Sequence, residues 1–458
     1  MITITDLFCG AGGSSQGASA VDGVEVRMAA NHWQLAIDTH QTNYPTVDHD
    51  CADISQVDPR RYPRTSVLWA SPECTNHSVA KGVKRAQPTL WDKPDPAAER
   101  SRATMWDVVR FAEHHRYQAI IVENVVDAAR WELWSAWLTA MQALGYEHRT
   151  VFLNSMHAPA TKAPRAPQSR DRLYIVFWRK GNPAPDVEPH PLAWCQKCDR
   201  DVNAVQSWKN GKRWGRYRAQ YVYRCPTPRC HEVVEPYVSP AASAIDWSLT
   251  GERIGDRVVP LKDATMRRIK IGLEKFATMP QLVPAGGTWN LSTTPIDLPM
   301  RARTTRETEG LLVPVEGRDG KSAAPSWMPL RTQTTRNETA LVIPDYLRHG
   351  VAFVAELRGG GSNARNVSEP LATVTASGNH HMLVREVIPP QPEPAPKIPA
   401  IEDCTFRMLT PDEIKRAMAF GGDYALLGTK RERVKLLGNA VTPPAAEWLV
   451  RAVRDSLV

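Results

Sequence analysis

A cysteine and a glutamate follow two apolar, β-forming runs of the sequence, and both residue types can take part in catalysis. Cys74 lies in SPECTNHS after the run SVLWA, and Glu123 follows the run AIIV. Because ligands of open α/β sheets bind at the carboxyl ends of the strands, we expect the thiol and the carboxyl group to face one crevice. A cysteine is a nucleophile only as the thiolate, and an isolated cysteine is more often an inert apolar residue. Glu123 taken alone also fits a solvated strand end.

Three polar side chains alternate at the start of a further predicted strand, QSRDRLYIVF. They are Gln168, Arg170 and Arg172. Side chains two residues apart project from the same face of a strand, so the spacing predicts one polar face. The alternative is an edge strand that carries solvated charges.

A glycine-rich turn follows the first apolar run, where ITITDLF leads into CGAGGSSQGA. The turn places Gly10, Gly12 and Gly13 between a predicted strand and a predicted helix. Glycine lets a ligand approach the backbone closely, and the N–H groups of a helix N-terminus favour anionic groups. The pattern fits a nucleotide, a dinucleotide, S-adenosylmethionine, or a tight turn without a ligand.

Short apolar runs alternate with helical stretches over residues 1–181. The runs are ITITDLF, VEVRMAAN, SVLWAS, AIIVENV and LYIVFW, and RATMWDVVRFAEHH is one of the helical stretches. This alternation is typical of a doubly wound α/β domain with a mostly parallel sheet.

The composition is that of a large protein without a membrane segment. A chain of 458 residues exceeds one typical domain, and its net charge of +8 suits a polyanionic partner without requiring one. The start of the chain lacks the charge pattern of a signal peptide, and no run of about 18 apolar residues occurs. We therefore expect a cytoplasmic protein with reduced thiols.

Residues 182–400 form a second predicted domain, rich in Pro, Thr, Arg and Trp and either loop-rich or β-rich. Similar segments begin at Pro299, Pro329 and Pro370, which indicates an internal repeat over residues 299–385. The repeat fits a duplicated structural hairpin, and the alternative is direct reading of bases by its Arg and Thr side chains.

Four cysteines near the start of this domain have the spacing of a zinc ribbon over residues 194–231. They are Cys195, Cys198, Cys225 and Cys230. Four thiolates bind zinc tetrahedrally, so we expect a structural zinc ion, with reduced and unligated thiols as the alternative. Basic and aromatic residues are interleaved between the two cysteine pairs. This favours contacts with phosphates, although an ordinary solvated face would look the same.

A proline-rich tether, IPPQPEPAPKIPA, precedes the final segment at residues 401–458. Thr410, Pro411 and Glu413 predict a capping box at a helix start. KLLGNAVTPPAAEWLVRAV then predicts a tight turn and a closing helix. We expect this segment to return to the first domain.

The motifs DLFCGAGG, Pro-x-Cys, ENV, QxRxR, RxLTPxE and GNAV follow one another along the chain. In this order they resemble the DNA (cytosine-5) methyltransferases of bacteria and their viruses. The resemblance spans most of the first and last predicted segments. It implies an S-adenosylmethionine-dependent methyltransferase fold, and transfer of a methyl group to C5 of a cytosine in a specific sequence of double-stranded DNA.

The resemblance also implies catalytic roles. Cys74 matches the nucleophile that adds to cytosine C6, and Glu123 matches the residue that binds N3 and the exocyclic amine. Arg172 matches the residue that holds O2, with Arg170 and Gln168 supporting its strand. A base inside a duplex cannot present C6 to a sulfur atom, so the base must be flipped out.

The cofactor positions of the family have counterparts in this sequence. The resemblance implies Asp6, Phe8, Gly10 and Gly12 around the methionine half, Asp53 and Ile54 at adenine, and Asn439 and Val441 beside that pocket.

Two positions depart from the family pattern. Asn31 and His32 stand where the family usually has an acidic residue for the ribose hydroxyls, and we expect His32 to contact the cofactor there. Glu73 directly precedes Cys74, where most members have a second proline. A neighbouring carboxylate raises the pKa of a thiol, so we expect Glu73 to point away from Cys74. The alternative is transfer of a group other than methyl.

Two other functions fit the motifs: the same chemistry on RNA, and DNA binding by a protein with a decayed active site. In the family, the segment between QxRxR and RxLTPxE carries target recognition, so the resemblance implies that residues 182–400 are the target-recognition domain. The length of this segment argues against RNA, because the RNA-modifying relatives have much shorter ones. The joint presence of Cys74, Glu123 and Arg172 argues against decay. We expect an enzyme that acts on double-stranded DNA as a monomer, with a restriction enzyme as a candidate partner and no membrane association.

Overall fold

The computed structural model describes most of the chain. The described residues are 1–73, 96–276, 281–284, 293–301, 309–314, 352–356, 364–366, 381–385 and 400–458. Cys74 and the repeat copy that begins at Pro329 lie outside them. The chain divides into one unit of Met1–Pro314 with Ala400–Val458 and a second unit of Val315–Pro399. The domain boundaries expected after residues 181 and 400 stay a prediction.

A seven-stranded sheet forms the centre of the first unit. The first eight strands of the chain are β1 (Ile2–Leu7), β2 (Val24–Asn31), β3 (Asp48–Cys51), β4 (Val67–Ala70), β5 (Ala119–Asn124), β6 (Tyr146–Asn154), β7 (Gln168–Ser169) and β8 (Asp171–Arg179). All except β7 join the sheet, in the order β3-β2-β1-β4-β5-β8-β6. Neighbouring strands are parallel except at β8, which runs antiparallel to β5 and β6. The predicted doubly wound, mostly parallel sheet is confirmed.

Helices cover both faces of this sheet. The helices of the described residues are α1 (Gly13–Ser19), α2 (Gln34–Asn43), α3 (Pro96–His115), α4 (Trp134–Ala143), α5 (Asp263–Phe276), α6 (Pro411–Ala417), α7 (Lys430–Asn439) and α8 (Pro443–Leu457). One apolar core lies between the sheet, α3 and α4, and another lies between the sheet and α8. Burial on both faces explains why β4 and β5 are runs of apolar residues. None of the described helices has the length and apolar character that a membrane span requires.

The four cysteines belong to a small β-rich element, residues 192–236, which we call the four-cysteine module. Its strands are β9 (Leu192–Cys195), β10 (Arg200–Asn203), β11 (Val205–Trp208), β12 (Tyr221–Arg224) and β13 (Val233–Val234). β9 and β10 form one antiparallel pair, and β11, β12 and β13 form a second antiparallel sheet. Such short strands bury little apolar surface by themselves.

The remaining strands form smaller sheets. They are β14 (Glu252–Arg253), β15 (Gln281–Pro284), β16 (Thr294–Pro295), β17 (Met300–Arg301), β18 (Glu309–Pro314), β19 (Ala352–Glu356), β20 (Ala364–Asn366), β21 (His381–Arg385) and β22 (Cys404–Met408). In the first unit, β14, β22, β18, β15 and β16 form a five-stranded sheet, and β17 pairs with β7. In the second unit, β20, β19 and β21 form a three-stranded antiparallel sheet.

The C-terminal segment is held against the first helix and the loop before β7. The capping box at Thr410 and Glu413 is formed as the sequence indicates. α8 packs so closely on α1 that a Cβ atom at Gly17 would lie 2.4 Å from the carbonyl oxygen of Pro443. The two helices are therefore in contact through their backbones.

Glu447 on α8 joins this helix to residues 161–163. Its buried carboxylate accepts hydrogen bonds from the N–H groups of Thr161 at 2.8 Å, Lys162 at 3.0 Å and Ala163 at 2.5 Å, and from Arg451 at 3.0 Å. Burial raises the pKa of Glu447, but the backbone hydrogen bonds outweigh burial and lower the pKa below its usual value. The carboxylate is thus the stable form.

Replacing Glu447 by alanine should lower the free energy of unfolding by about 2 kcal/mol or more, because several donors lose one charged acceptor. Urea denaturation followed by circular dichroism measures this loss. Glu432→Ala is the matched control, since Glu432 closes an exposed capping box at Thr429 and should matter less. An equal effect of the two substitutions would contradict this account of Glu447.

Candidate active site

Three strands bring the predicted site residues to one edge of the central sheet. Leu7 of β1 pairs with Ala70 of β4, and Ala70 pairs with Val122 of β5. The residue after Ala70, Ser71, donates its N–H to the carbonyl oxygen of Leu7 at 3.1 Å. Glu123 therefore lies beside the point where the chain leaves β4 toward Cys74, which is outside the described residues.

Glu123 and Arg172 form a buried ion pair at this edge. The Nε atom of Arg172 lies 3.0 Å from Oε1 of Glu123. Burial raises the pKa of Glu123, while the charges of Arg172 and Arg170 and a hydrogen bond from Ser71 oppose that rise. The structure thus brings together the carboxyl group of Glu123 and the guanidinium groups of Arg170 and Arg172. The sequence motifs predict that these three residues act at one site.

Arg170 connects this pair to the C-terminal segment. Its side chain is 2% exposed, and Nη2 donates to the carbonyl oxygens of Gly438 and Ala440, each at 3.0 Å. Gln168 is also buried. An interior guanidinium needs such acceptors, because an unpaired buried charge is strongly unfavourable. Arg170 therefore holds the turn between α7 and α8 next to the site.

The glycine-rich turn surrounds a buried carboxylate, that of Asp6. Oδ2 of Asp6 accepts hydrogen bonds from the hydroxyls of Ser14 and Ser15, each at 2.6 Å. Oδ1 is buried as well and has no hydrogen-bond partner among the described residues. Burial raises the pKa of Asp6 to about 6, although both serine hydrogen bonds lower it. Asp6, near the end of β1, is thus a buried carboxyl group with only one of its two oxygens hydrogen-bonded among the described residues.

The backbone of the turn leaves little space for side chains. Phe8 adopts the left-handed φ of 60°, and Gly10 and Gly12 have φ values of 54° and 80°. A Cβ atom at Gly12 would lie 2.3 Å from the hydroxyl of Tyr424, and one at Gly13 would lie 1.9 Å from the carbonyl oxygen of Val441. Glycine is therefore required for conformation at position 10, for packing at position 13 and for both at position 12.

Two histidines that the sequence analysis did not identify continue the polar network behind Asp6. Nε2 of His40 lies 2.9 Å from the Ser15 hydroxyl, and Nδ1 lies 2.8 Å from Nε2 of His49. Because Ser15 donates its single proton to Asp6, Nε2 of His40 must be the donor and Nδ1 the acceptor. Burial, with the neighbouring His49, lowers the pKa of His40 to about 3, so this ring is neutral. No spacing in the sequence identifies such a network.

The other predicted cofactor residues lie around the same edge with different exposure. Ile54 is buried, whereas Asp53 is exposed and accepts a hydrogen bond from the N–H of Ser55 at 3.1 Å. His32 is largely exposed, and its Nδ1 lies 3.7 Å from Oε1 of Glu73. Asn439 ends α7 as an exposed residue, and Val441 is buried next to the glycine turn.

The four cysteine sulfurs converge in the four-cysteine module, and all lie within 4.8 Å of one another. The Sγ atoms of Cys195 and Cys230 are 3.6 Å apart, and those of Cys198 and Cys225 are 3.8 Å apart. Tetrahedral zinc with Zn–S bonds of about 2.3 Å separates its sulfur ligands by roughly 3.8 Å. Hydrogen bonds from the hydroxyl and N–H of Thr227 lower the pKa of Cys225 to about 6. The donor set and spacing therefore fit a zinc ion.

Comparison with known proteins finds similarity to one family. Residues 2–211 match the family model for C-5 cytosine-specific DNA methylase. The Type II methyltransferase M.HgiBI of Herpetosiphon aurantiacus is 33% identical over 177 residues, which are 37% of this chain and 36% of that protein. The Type II methyltransferase M.SsoII of Shigella sonnei is 26% identical over 178 residues, or 38% and 42% of the two chains. This chain thus spans less than half of either relative.

A solved structure supports the fold alone. The Entamoeba histolytica methyltransferase EhMeth superposes with a TM-score of 0.50 at 11% sequence identity, covering 100% of this chain and 99% of that one. The resemblance to the cytosine-5 methyltransferases that the motifs indicate is confirmed by the family model.

Replacing Gly13 by alanine should lower the free energy of unfolding by about 2–3 kcal/mol, because the new Cβ atom would overlap the carbonyl oxygen of Val441. Without that overlap, alanine would stabilise the start of α1. Urea denaturation measures the change. Gly422→Ala is the control, since no atom lies within 4 Å of a Cβ built there. A neutral Gly13→Ala would show that the turn adjusts freely.

Proposed function

We propose that this chain, which carries a C-5 cytosine-specific DNA methylase domain over residues 2–211, methylates C5 of a flipped-out cytosine in double-stranded DNA. The observation that supports this most directly is the buried Glu123–Arg172 pair beside the start of the Cys74 segment. A carboxyl group with a raised pKa and a guanidinium at one sheet edge can bind both the N3 side and the O2 of a pyrimidine.

Cytosine C5 is a weak nucleophile, and Cys74 overcomes this by adding its thiolate to C6. A new S–C6 bond forms, and the electron pair of the C5–C6 double bond moves toward the ring nitrogen N3. Glu123 donates its proton to N3 and accepts a hydrogen bond from the exocyclic amine. Arg172 donates to O2. Methyl transfer to C5 would leave the methyl donor as a neutral thioether. The C5 proton is then lost to solvent, its electron pair re-forms the C5–C6 double bond, and the S–C6 bond breaks to release the Cys74 thiolate. N3 returns its proton to Glu123, which restores the aromatic ring.

S-adenosylmethionine, which supplies the methyl group for C5 when bound, fits the glycine turn. Asp6 has a buried and unpartnered Oδ1 that can accept from an ammonium group. Gly10 provides a backbone that a ligand can approach closely, because the nearest atom to a Cβ built there is the Phe8 carbonyl oxygen at 3.9 Å. Phe8 and Gly12 shape the turn through their left-handed φ values. Val441 closes one side, and Asp53, Ile54 and Asn439 are the proposed contacts toward adenine and beside it.

Glu73 and His32 together replace the acidic residue that usually binds the ribose hydroxyls. Their side chains lie 3.7 Å apart at the end of the sheet where the cofactor is proposed to bind. Glu73 therefore supplies the carboxylate from the segment between β4 and Cys74, and His32 supplies a second hydrogen-bonding group. In this arrangement Glu73 serves the methyl donor, and a different transferred group is not needed to explain it.

The substrate is DNA with a specific recognition sequence, and the protein acts as a monomer in the cytoplasm. Residues 182–400 are proposed to recognise that sequence, and a restriction enzyme of the same specificity is the proposed functional partner. The base must leave the stack, because its C6 atom is otherwise inaccessible to Cys74. We also propose that Cys195, Cys198, Cys225 and Cys230 bind one structural zinc ion, which would hold the ends of four short strands together.

Wild-type protein should transfer radiolabel from methyl-labelled S-adenosylmethionine to unmodified duplex DNA, and Cys74→Ser should transfer none. Bisulfite sequencing locates the mark and gives the sequence context. Cys404→Ser is the control. Cys404 is a buried residue of β22 whose thiol donates to the carbonyl oxygen of Ala400, and the serine hydroxyl can donate to the same oxygen.

The distribution of label decides between the proposed function and its alternatives. Label on RNA but not on DNA would assign the same chemistry to another nucleic acid. Binding of DNA and S-adenosylmethionine without any transfer would indicate a decayed enzyme. Transfer that survives in Cys74→Ser would contradict the covalent mechanism.

The rate of methyl transfer should fall at alkaline pH, where Glu123 loses its proton. Replacing Arg172 by methionine should move this fall to higher pH. Arg172 stabilises the Glu123 carboxylate, so its loss raises the pKa of Glu123, and the reactive acid form persists to higher pH. The rate near neutral pH should fall about 10–100-fold, because a charge-assisted hydrogen bond to O2 is lost.

Single-turnover rates on one DNA duplex, measured from about pH 5 to pH 9, test this effect. Arg172→Lys is the matched control, since it keeps the charge and should leave the fall close to its wild-type pH. A fall at the same pH in Arg172→Met and wild type would show that Arg172 does not control the protonation of Glu123.

A further inference from the structure

The four-cysteine module makes direct polar contacts with the segment that follows Glu123. Nη2 of Arg216 lies 2.6 Å from Oδ2 of Asp127, and Nε1 of Trp214 donates to the carbonyl oxygen of Val126 at 3.2 Å. The guanidinium of Arg130 lies 3.7 Å from the centre of the Trp214 ring. These residues begin two positions after Asn124, so the module fixes the chain just beyond the proposed catalytic carboxyl group.

The module also contacts β8 at its first residue, Asp171, which lies between the two proposed catalytic arginines. The N–H of Tyr217 donates to Oδ1 of Asp171 at 3.0 Å, and the Asp171 carbonyl oxygen accepts from Nη1 of Arg172 at 2.8 Å. Asp171 lies between Arg170 and Arg172, and neighbouring residues of a strand point to opposite faces. The module therefore binds the face of β8 that is opposite to the site.

Two further hydrogen bonds and an aromatic cluster complete this contact. The hydroxyl of Tyr221 accepts from the N–H of Asn154 at 3.2 Å, and Gln206 donates to the carbonyl oxygen of Phe152 at 2.8 Å. The ring of His157 lies 4.4 Å from Tyr217, measured between ring centres. One apolar core continues from the sheet into the module and includes buried cysteines of the cluster.

The residues that make these contacts lie between the two cysteine pairs of the cluster. Arg216 and Tyr217 lie in the connection between β11 and β12, and each of these strands has four residues. Cys225 directly follows β12, and Cys230 precedes β13. Four-residue strands need an additional constraint to hold one conformation, and four thiolates on one metal ion provide it.

We infer that the four-cysteine module is a positioning element for Glu123 and Arg172, so that a metal ion at the cluster controls the chemical step without contacting DNA or cofactor. This inference rests on the proposed function. It gives the module a role in positioning the proposed catalytic groups, where the sequence indicated a structural zinc ion and contacts with phosphates. Arg216 and Asp171 act in this scheme as positioning residues, through Asp127 and Arg172.

The test compares full-length wild type, Arg216→Met and Cys198→Ser, each purified with zinc, and begins with the zinc content of each protein. Wild type and Arg216→Met should hold about one zinc ion per chain and Cys198→Ser less. Single-turnover methyl transfer should be about 10–100-fold slower in both variants, because small displacements of reacting groups are costly. The affinity for S-adenosylmethionine, measured by calorimetry, should stay within about twofold of wild type.

A pH profile separates positioning from a general loss of structure. If Arg172 is displaced from Glu123, the alkaline fall of the rate moves to higher pH in Arg216→Met, as it does in Arg172→Met. Arg216→Lys keeps a cation near Asp127 and should recover most of the rate. Arg213→Met is the control, since it removes one exposed cation from the same module, where Arg213 pairs with Glu188 and not with residues 126–130.

The outcomes distinguish this inference from the proposed function. Wild-type rate and pH profile in Arg216→Met, with transfer to DNA established for wild type, would overturn only the inference. Zinc-depleted protein that keeps the wild-type rate would overturn it as well. Absence of transfer by wild type on every nucleic acid would overturn both. A slow Arg216→Met with a shifted profile, normal zinc content and normal cofactor affinity would support it.

Discussion

The arrangement of the site depends on the hydrogen bonds that the buried guanidinium of Arg170 donates to the C-terminal segment. A charge that is 2% exposed must be compensated inside the protein, and the carbonyl oxygens of Gly438 and Ala440 provide the compensation. Those carbonyls lie at the turn before α8, and the next carbonyl, that of Val441, lies against Gly13. The side chain of Arg170 thus links the start of β8 to the turn before α8, and that turn packs against the glycine-rich turn.

The C-terminal segment completes a site whose other parts lie at the start of the chain. Glu447 binds the backbone of residues 161–163, just before β7, while Arg170 binds the turn at the opposite end of that loop. The C-terminal segment therefore contacts both ends of this loop. Thr161 and Glu447 are 286 positions apart in the chain, and Arg170 and Gly438 are 268 positions apart. This explains why the motif GNAV, far along the chain from the first four motifs, is part of the same constellation.

The sequence was sufficient for features that depend on local pattern. Apolar runs identified β1, β2, β4, β5 and β8, and the capping box at Thr410 formed as expected, because each is determined by neighbouring residues. β3 was missed because its sequence, DHDC, is polar, and β6 was missed because only its second half is apolar. The bonds from Ser15 through His40 to His49 could not be predicted, since they join side chains from three elements. The contacts of Arg216 and Trp214 with residues 126–130 are non-local for the same reason.

Two buried carboxyl groups at the site have opposite proposed requirements, and their surroundings differ accordingly. Asp6 must stay ionised to accept from an ammonium group, and Ser14 and Ser15 donate to it, so its pKa of about 6 leaves it mainly ionised near neutral pH. A neutral His40 behind Ser15 keeps a further positive charge away from a cationic methyl donor. Glu123 must carry a proton to the cytosine, and its burial raises the pKa against the effect of two arginines. In the proposed function, the Asp6 carboxylate therefore serves as an anion and the Glu123 carboxyl group as an acid. Burial and the neighbouring hydrogen-bond donors determine the pKa of each group.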